Sequence, residues 1–236
     1  MEGTALHRCE GVMAELRARA NPENVAGMAR YGIATEAALG VSIYDLRPMA
    51  KGIRDDHELA LTLWQTGVHE ARLLAGFIDD PRQVEEEQME VWAAQFDSWD
   101  ICDQVCSSLF DRTALAWEKA VEWTARDEEF MKRAGFVLMA ALAVHDKSAP
   151  DERYVALLPL IAREAGDERN FVKKAVNWAL RQIGKRNSAL NLAAVAAARE
   201  IEAQGSRSAR WIARDALREL TSDKVRTRLC AKQTGG

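Results

Sequence analysis

The sequence has few cysteines, and they do not form the patterns of disulfide or zinc sites. Cys9, Cys102, Cys106 and Cys230 include no C-x-x-C pair, and no histidine lies at ligand spacing beside them. Disulfides and a bound metal ion are therefore not expected. Cys102 and Cys106 could act as a redox pair, but small side chains beside an apolar stripe are more typical of packing. The four histidines are scattered singly, which gives no indication of a catalytic or metal-binding histidine.

Long apolar runs are also missing. No segment approaches the roughly 20 apolar residues that cross a bilayer, and the first eight residues lack the apolar core of a secretion signal. We therefore expect a cytoplasmic protein that does not bind membranes. Hydrophobic residues make up 48% of the 236-residue chain and charged residues 29%, which is typical of a folded protein with a large core.

Strand-like alternation of apolar and polar residues is absent, whereas helical periodicity recurs along the chain. About a dozen helices, joined by short polar turns, form successive antiparallel pairs of roughly 35–45 residues, the size of HEAT or armadillo repeats. We predict an all-α protein, a HEAT-like or armadillo-type helical solenoid with a concave basic face, in a single domain over residues 1–236. Because the repeats have little mutual identity, an irregular helical bundle is the alternative.

Capping residues predict where helices begin. Ser42 predicts a helix over residues 43–53. Asp80 followed by Pro81 predicts the start of a long helix that runs to residue 95. The first backbone N–H groups of a helix have no partner within the helix. A capping side chain such as that of Ser42 or Asp80 can accept hydrogen bonds from them, and Pro81 has no N–H that needs a partner.

One stretch near the middle of the chain combines an aromatic residue with a carboxylate. Ile101, Val105 and Leu109 are spaced four apart and predict the buried stripe of a helix. Trp99 and Asp103 are also four apart, so they share a face that lies roughly opposite this stripe. The alternative interpretation is that Trp99 packs under a neighbouring helix and Asp103 is an ordinary surface acid.

A second stretch surrounds an aromatic residue with cations. Lys174, Trp178, Arg181 and Lys185 fall at positions i, i+4, i+7 and i+11 of one predicted helix. This combination suits a polyanion whose sugars or bases lie against a ring while its phosphates meet Lys and Arg. In the alternative, the basic stems only cover a partly buried tryptophan. Residues 163–236 contain 16 Lys and Arg against 8 Asp and Glu, a net charge of +8 in a chain of net charge −4.

A third candidate lies between these two stretches. Arg133 is at the border of the apolar stripe in a helix predicted over residues 127–144. Trp99 lies two helices earlier and Trp178 two helices later. Because every second helix in a stack of helical pairs lines the same wall, the three residues are predicted to come from successive inner-wall helices.

Five short motifs occur in order over residues 15–185. They are Asn21-Pro22-Glu23 leading to Met28-Ala29-Arg30-Tyr31, Leu39-Gly40-Val41 with Arg47 and Lys51, Trp99-Asp100-x-x-Asp103, Lys132-Arg133-Ala134, and Lys174-Ala175-x-x-Trp178-x-Leu180-Arg181. In this order and near this spacing, the set resembles the HEAT-repeat DNA alkylation-repair proteins, the alkylpurine DNA glycosylases of the AlkD type. Each motif is weak alone, but the ordered set is specific.

The resemblance implies hydrolysis of the N-glycosidic bond of cationic alkylated purines in double-stranded DNA, without a metal or other cofactor. It implies that Asp103 is the catalytic carboxylate, that Trp99 and Trp178 contact the deoxyribose, that Arg133 meets a backbone phosphate, and that Tyr31 lies close to the lesion. We expect a monomer, with further DNA contacts from Lys174, Arg181, Lys185, Arg47 and Lys51.

The sequence departs from the family pattern at three positions. Ser98 stands where the family often has a second aromatic residue, Phe130 replaces a tryptophan, and Ser42 stands where some members have glutamine. These departures bear on the range of lesions more than on the activity. The alternative function is a non-catalytic helical-repeat scaffold that binds DNA, RNA or a protein partner, since fold alone does not determine function.

Overall fold

The structure is a computed structural model that describes residues 4–234, and the side chains of residues 4–231. Within this part of the chain every regular element is a helix, and helices make up 75% of these described residues. The predicted all-α class is confirmed. In the described residues, no helix is both long and apolar enough to cross a membrane.

The chain divides into two helical units, Met1–Ala114 and Leu115–Gly236. The first unit contains seven α-helices among its described residues and a short 3₁₀ turn at Phe110–Arg112. The helices are α1 (Ala5–Ala18), α2 (Pro22–Arg30), α3 (Ile43–Ile53), α4 (His57–Gln65), α5 (His69–Ile78), α6 (Glu86–Ala94) and α7 (Trp99–Ser108). Helix α5 is central, because it packs against α3, α4 and α7. Part of the core is a stacked pair, Trp64 and Trp92, whose ring centroids are 4.0 Å apart.

The second unit has seven further α-helices among its described residues and a 3₁₀ turn at Trp123–Ala125. The helices are α8 (Ala116–Glu122), α9 (Glu129–His145), α10 (Asp151–Glu164), α11 (Asn170–Gly184), α12 (Ser188–Ala203), α13 (Arg207–Leu220) and α14 (Asp223–Thr234). Helix α9 is buried on all sides over residues 131–143 and packs against α8 and α11. At Gly135 an added Cβ would lie 2.8 Å from the backbone nitrogen of Thr124, so close helix packing requires glycine there.

Alternate helices lie side by side in each unit, as the repeat pattern predicts. In the first unit α5 contacts both α3 and α7, and in the second unit α11 contacts both α9 and α13. Each unit therefore contains a row of every second helix, which places Trp99 at the start of α7 in one row and Trp178 on α11 in the other. The single domain predicted over residues 1–236 stays a prediction.

The capping predictions have different outcomes. The helix predicted over residues 43–53 is confirmed, and the Ser42 hydroxyl accepts a hydrogen bond from the Asp45 backbone nitrogen at 3.3 Å. The long helix predicted from Asp80 to residue 95 is wrong, since α6 begins only at Glu86. The Asp80 carboxylate accepts from the backbone nitrogen of Arg82 at 3.0 Å and holds these residues in a turn.

Candidate functional site

A cleft of about 550 Å³ lies in the first unit between α2, the segment 39–43, α5 and α7. Trp99 and Tyr31 both line it. The indole Nε1 of Trp99 donates a hydrogen bond to the backbone oxygen of Tyr31 at 3.0 Å, and the Tyr31 side chain is 74% exposed. Two aromatic residues that the sequence assigned to one site are therefore in contact.

A buried carboxylate shapes one wall of the cleft. Glu70, at 0% exposure, accepts hydrogen bonds from the backbone nitrogens of Leu39, Gly40 and Val41 at 2.8, 2.6 and 3.3 Å. Gly40 has a φ of +78°, and a Cβ there would lie 2.1 Å from the backbone oxygen of Asn21. The Leu39-Gly40-Val41 motif is thus a backbone segment that only glycine permits and that Glu70 fixes.

A histidine–carboxylate pair also lines this cleft. His69 is 4% exposed, and its Nε2 lies 2.9 Å from Oδ2 of Asp100, the residue after Trp99. Burial lowers the pKa of His69, but the hydrogen bond and charge of Asp100, with the charges of Glu70 and Asp97, outweigh it and raise the pKa above its usual value. The pair links the start of α5 to the start of α7, and so fixes where Trp99 begins its helix.

Asp103 lies on the same face of α7 as the residues beside this cleft. At 3.6 residues per turn it falls between Trp99 and Asp100 in angle, and its side chain is half-buried. Among the described residues, the lining includes Asp100 and Gln104 rather than Asp103 itself. Asp103 is therefore placed near Trp99 by the spacing of residues along α7, and not by a shared position in the lining of the cleft.

Two predicted DNA-binding cations lie on α3. Arg47 is exposed and donates from Nη2 to Oε1 of Gln104 at 3.2 Å, so it reaches α7 beside the cleft. Lys51 is exposed one turn further along α3, and no hydrogen bond or ion pair within the described residues engages it. Both cations are accessible to a ligand.

In the second unit, α13 supplies acids to the predicted cationic face of α11. Arg181 donates from Nη1 to Glu219 at 2.8 Å, and Lys185 donates from Nζ to the same carboxylate at 2.8 Å. Burial raises the pKa of Glu219, but Lys185 and Arg181 outweigh it and lower the pKa below its usual value. Trp178 is half-buried, and Lys174 is exposed with no hydrogen bond or ion pair among the described residues.

Arg133 lies deeper than the sequence predicts. It is 5% exposed on α9, and its Nη1 donates to the backbone oxygen of Phe171 at 2.6 Å, just after the start of α11. The expected position at the border of an apolar stripe is wrong, because α9 is enclosed by α8 and α11 and has no exposed border at this level. Its contact with a backbone phosphate stays a prediction.

The profile of the DNA alkylation repair enzyme family matches residues 12–220. The chain belongs to this family. A solved structure of a protein from "a new family of proteins related to the HEAT-like repeat DNA glycosylases with affinity for branched DNA structures" has a similar fold, with a TM-score of 0.77 and 23% sequence identity. The similarity covers 93% of this chain and 95% of that one. No curated protein sequence matches the chain significantly.

These comparisons confirm the predicted family and the HEAT-like fold. The structure also adds residues that the sequence did not reveal as part of a site. Glu70 and His69 were missed, and Asp100 was noted only as part of a motif, because each acts through a partner about 30 positions away, as in the 31-residue separation of His69 and Asp100. The adjacency of His69 to Glu70, and of Asp100 to Trp99, was the signal available.

Proposed function

We propose that the protein is a monofunctional DNA glycosylase of base excision repair. It hydrolyses the N-glycosidic bond of cationic N3- or N7-alkylated purines in duplex DNA. The observation that carries the proposal is that Asp103 lies one helical turn after Trp99 on α7, and that Trp99 lines the cleft. Membership of the DNA alkylation repair enzyme family supports the same reaction.

The chemistry needs little from the protein. An alkylated purine is already cationic, so it leaves without a general acid, and the sugar moves toward an oxocarbenium-like state. Stabilising that positive charge is the main task. A fixed carboxylate stabilises it electrostatically and orients the attacking water, while an indole face attracts the cationic sugar more strongly than the neutral one.

The residues take distinct parts in this mechanism. Asp103 faces the developing charge, and Trp99 offers its indole face while its Nε1 is held by Tyr31. Trp178, on α11 of the second unit, contacts a deoxyribose in this proposal. Lys51 and Lys174, both exposed, provide phosphate contacts.

The cations that are paired within the protein have to exchange their present partners for a phosphate when DNA binds. Arg181 and Lys185 are held by Glu219, so a phosphate has to share or replace that carboxylate. Arg133 donates to a backbone oxygen, and a phosphate contact there requires a similar exchange. Arg47, which reaches α7 beside the cleft, contacts a phosphate of the DNA backbone in this proposal.

The decisive experiment replaces the carboxylate by its amide. Asp103→Asn keeps shape but removes the charge, and we expect release of 7-methylguanine from methylated duplex to fall roughly 100–1000-fold, the usual effect of losing one such electrostatic group. Affinity for the duplex should stay within a few-fold of the wild type. Glu118→Gln, an exposed acid on α8, is the matched control. Unchanged release by Asp103→Asn would contradict the assignment.

A second function is favoured by one observation. The structural neighbour belongs to a family with affinity for branched DNA structures, and it covers 93% of this chain. In the second candidate function the protein binds branched DNA without cleaving a glycosidic bond. Binding to a four-way junction and to an unbranched duplex of equal length distinguishes the two. Strong preference for the junction, together with no purine release, favours the binding function.

A further inference from the structure

A basic pocket lies at one end of the second unit. The C-terminal ends of α9 and α11, the start of α10 and part of α14 enclose a cavity of about 340 Å³. Four basic residues line it, Lys147, Lys185, Arg186 and Arg228, which together define the basic pocket. Asp151 is the single carboxylate in its described lining, so positive charge dominates.

Some of the charged side chains in the basic pocket already make hydrogen bonds within the protein. Both carboxylate oxygens of Asp151 accept from Nδ2 of Asn187 at 2.9 Å. Arg186 donates to the backbone oxygens of Ala143 and Ala149 at 3.1 and 3.2 Å. Arg186 therefore has a structural role at the C-terminal end of α9, where helix carbonyls lack partners.

Lys147 and Arg228 have no comparable structural role. Both are exposed, and no hydrogen bond or ion pair within residues 4–231 engages either side chain. A smaller neighbouring cavity of about 190 Å³ shares Lys185 and Arg228 and adds Lys224 and Glu219. Glu219 accepts a hydrogen bond from Lys185, so the basic surface along α14 consists of Lys224 and Arg228. Two free cations over a cavity make a site for an anion.

We propose that the basic pocket binds a backbone phosphate of duplex DNA away from the lesion, with Lys147 and Arg228 as its ligands. The proposal rests on the proposed function for one point only, the contact of Trp178 with a deoxyribose. Lys185 lies seven residues after Trp178 on α11, which is about 10 Å along the helix axis. In this proposal α11 runs along the DNA strand. Since one strand carries a phosphate every 3.4 Å or so of rise, the pocket is then about three nucleotides from that sugar.

The test removes the two free cations together. Lys147→Ala with Arg228→Ala should flatten the slope of log K against log salt by roughly 1 on an unmodified duplex, because the one phosphate contact of the basic pocket contributes about 0.9. At 50 mM salt we expect binding several-fold to tenfold weaker. The control pair, Arg199→Ala with Arg210→Ala, removes two exposed cations from α12 and α13 and changes the net charge equally. The control variant should change the salt slope by less than half as much as the pocket variant does.

Two results would overturn the proposal. One is an unchanged salt slope in the double variant of the pocket. The other is an equal change in the pocket variant and the control variant, which would indicate only a non-specific electrostatic effect of net charge. A charge-conserving variant, Lys147→Arg with Arg228→Lys, should retain the wild-type slope, and circular dichroism checks that each variant folds. A second measurement uses duplexes with one neutral methylphosphonate linkage. The linkage about three nucleotides from an alkylpurine should weaken wild-type binding and leave the pocket variant unaffected.

Binding to unmodified DNA separates this proposal from the proposed function. If the pocket pair flattens the slope while the wild type releases no alkylpurine, the pocket is supported and the glycosylase activity is not. If release occurs and depends on Asp103 while the pocket pair has no effect on binding, the activity stands and the pocket is refuted.

Discussion

Asp100 helps to raise the pKa of His69 in the wall of the cleft, and this predicts that stability depends on pH. The pKa of His69 in the folded protein lies above its usual value, so the stabilisation is fully present below the unfolded pKa of about 6.5. It is lost as the pH rises through the higher folded pKa. A neutral histidine still donates to Asp100, but a hydrogen bond between two charged groups is stronger.

The pH dependence can be tested by removing the titrating group. His69→Gln should cost about 1.5–3 kcal/mol near pH 5.5, the usual contribution of a hydrogen bond to a charged group, and clearly less at pH 8.5. Urea unfolding at both pH values, compared with the wild type, measures the difference. His7→Gln, at an exposed position, is the control. A penalty that grows from pH 5.5 to 8.5 would contradict the charged pair.

Spacing along one helix was enough to predict which residues of the candidate site share a face, but not which segments contact one another. Trp99 and Asp103 are four apart, so the helix itself places them together whatever packs around it. Glu70 and its three backbone partners come from separate segments, and no local pattern encodes that contact. Arg133 shows the same limit, because its burial depends on α8 and α11 rather than on α9 alone.

Helix α13 controls how much positive charge α11 presents. Glu219 accepts from both Arg181 and Lys185, so its charge opposes two of the predicted phosphate ligands. The three side chains are 17–31% exposed, and solvent screens such pairs. Their contribution to folding is therefore small, whereas their effect on a bound polyanion is direct.

Glu219→Gln should strengthen DNA binding. Freeing Arg181 and Lys185 is expected to raise affinity for a duplex about 3–10-fold at 50 mM salt and to steepen the salt slope by up to about 2. Stability should fall by about 1 kcal/mol or less. Glu202→Gln, an exposed acid on α12, provides the comparison. Equal gains from both variants would mean that the ion pairs do not limit binding, which fluorescence anisotropy on a labelled duplex would reveal.

At the scale of elements, local signals predicted boundaries well where one side chain decides them. Ser42 caps α3 through its own hydroxyl, and the helix has the predicted limits. Asp80 also offers a capping carboxylate, but its use in a turn with Arg82 delays α6 to Glu86. The sequence contains both options at Asp80, and the choice depends on which backbone nitrogen the carboxylate reaches.

Charge is distributed unevenly over the whole molecule. Residues 1–114 contain 10 Lys and Arg against 20 Asp and Glu, a net charge of −10, and residues 115–236 contain 22 against 16, a net charge of +6. The chain as a whole has a net charge of −4. DNA binding by such a protein depends on a limited set of local cations rather than on its total charge.

The salt dependence of the intact protein tests this view. Six predicted phosphate ligands, Arg47, Lys51, Arg133, Lys174, Arg181 and Lys185, give a slope of roughly −5, or about −6 with the one phosphate contact of the basic pocket. Binding to an unmodified duplex should fall about a thousandfold or more between 50 and 200 mM salt. A slope near zero, measured by titration at four salt concentrations, would contradict phosphate binding by these residues.

The acid and the indole of α7 lie within one turn of a single helix, whereas the facing wall is a separate segment fixed by Glu70. Evolution can therefore alter the two parts independently. Substitutions at wall positions such as Ser42 and Ile43 are expected to leave the geometry of Trp99 and Asp103 unchanged. Under the proposed function, homologues that accept different damaged bases are expected to differ mainly in that segment and to retain Trp99 and Asp103.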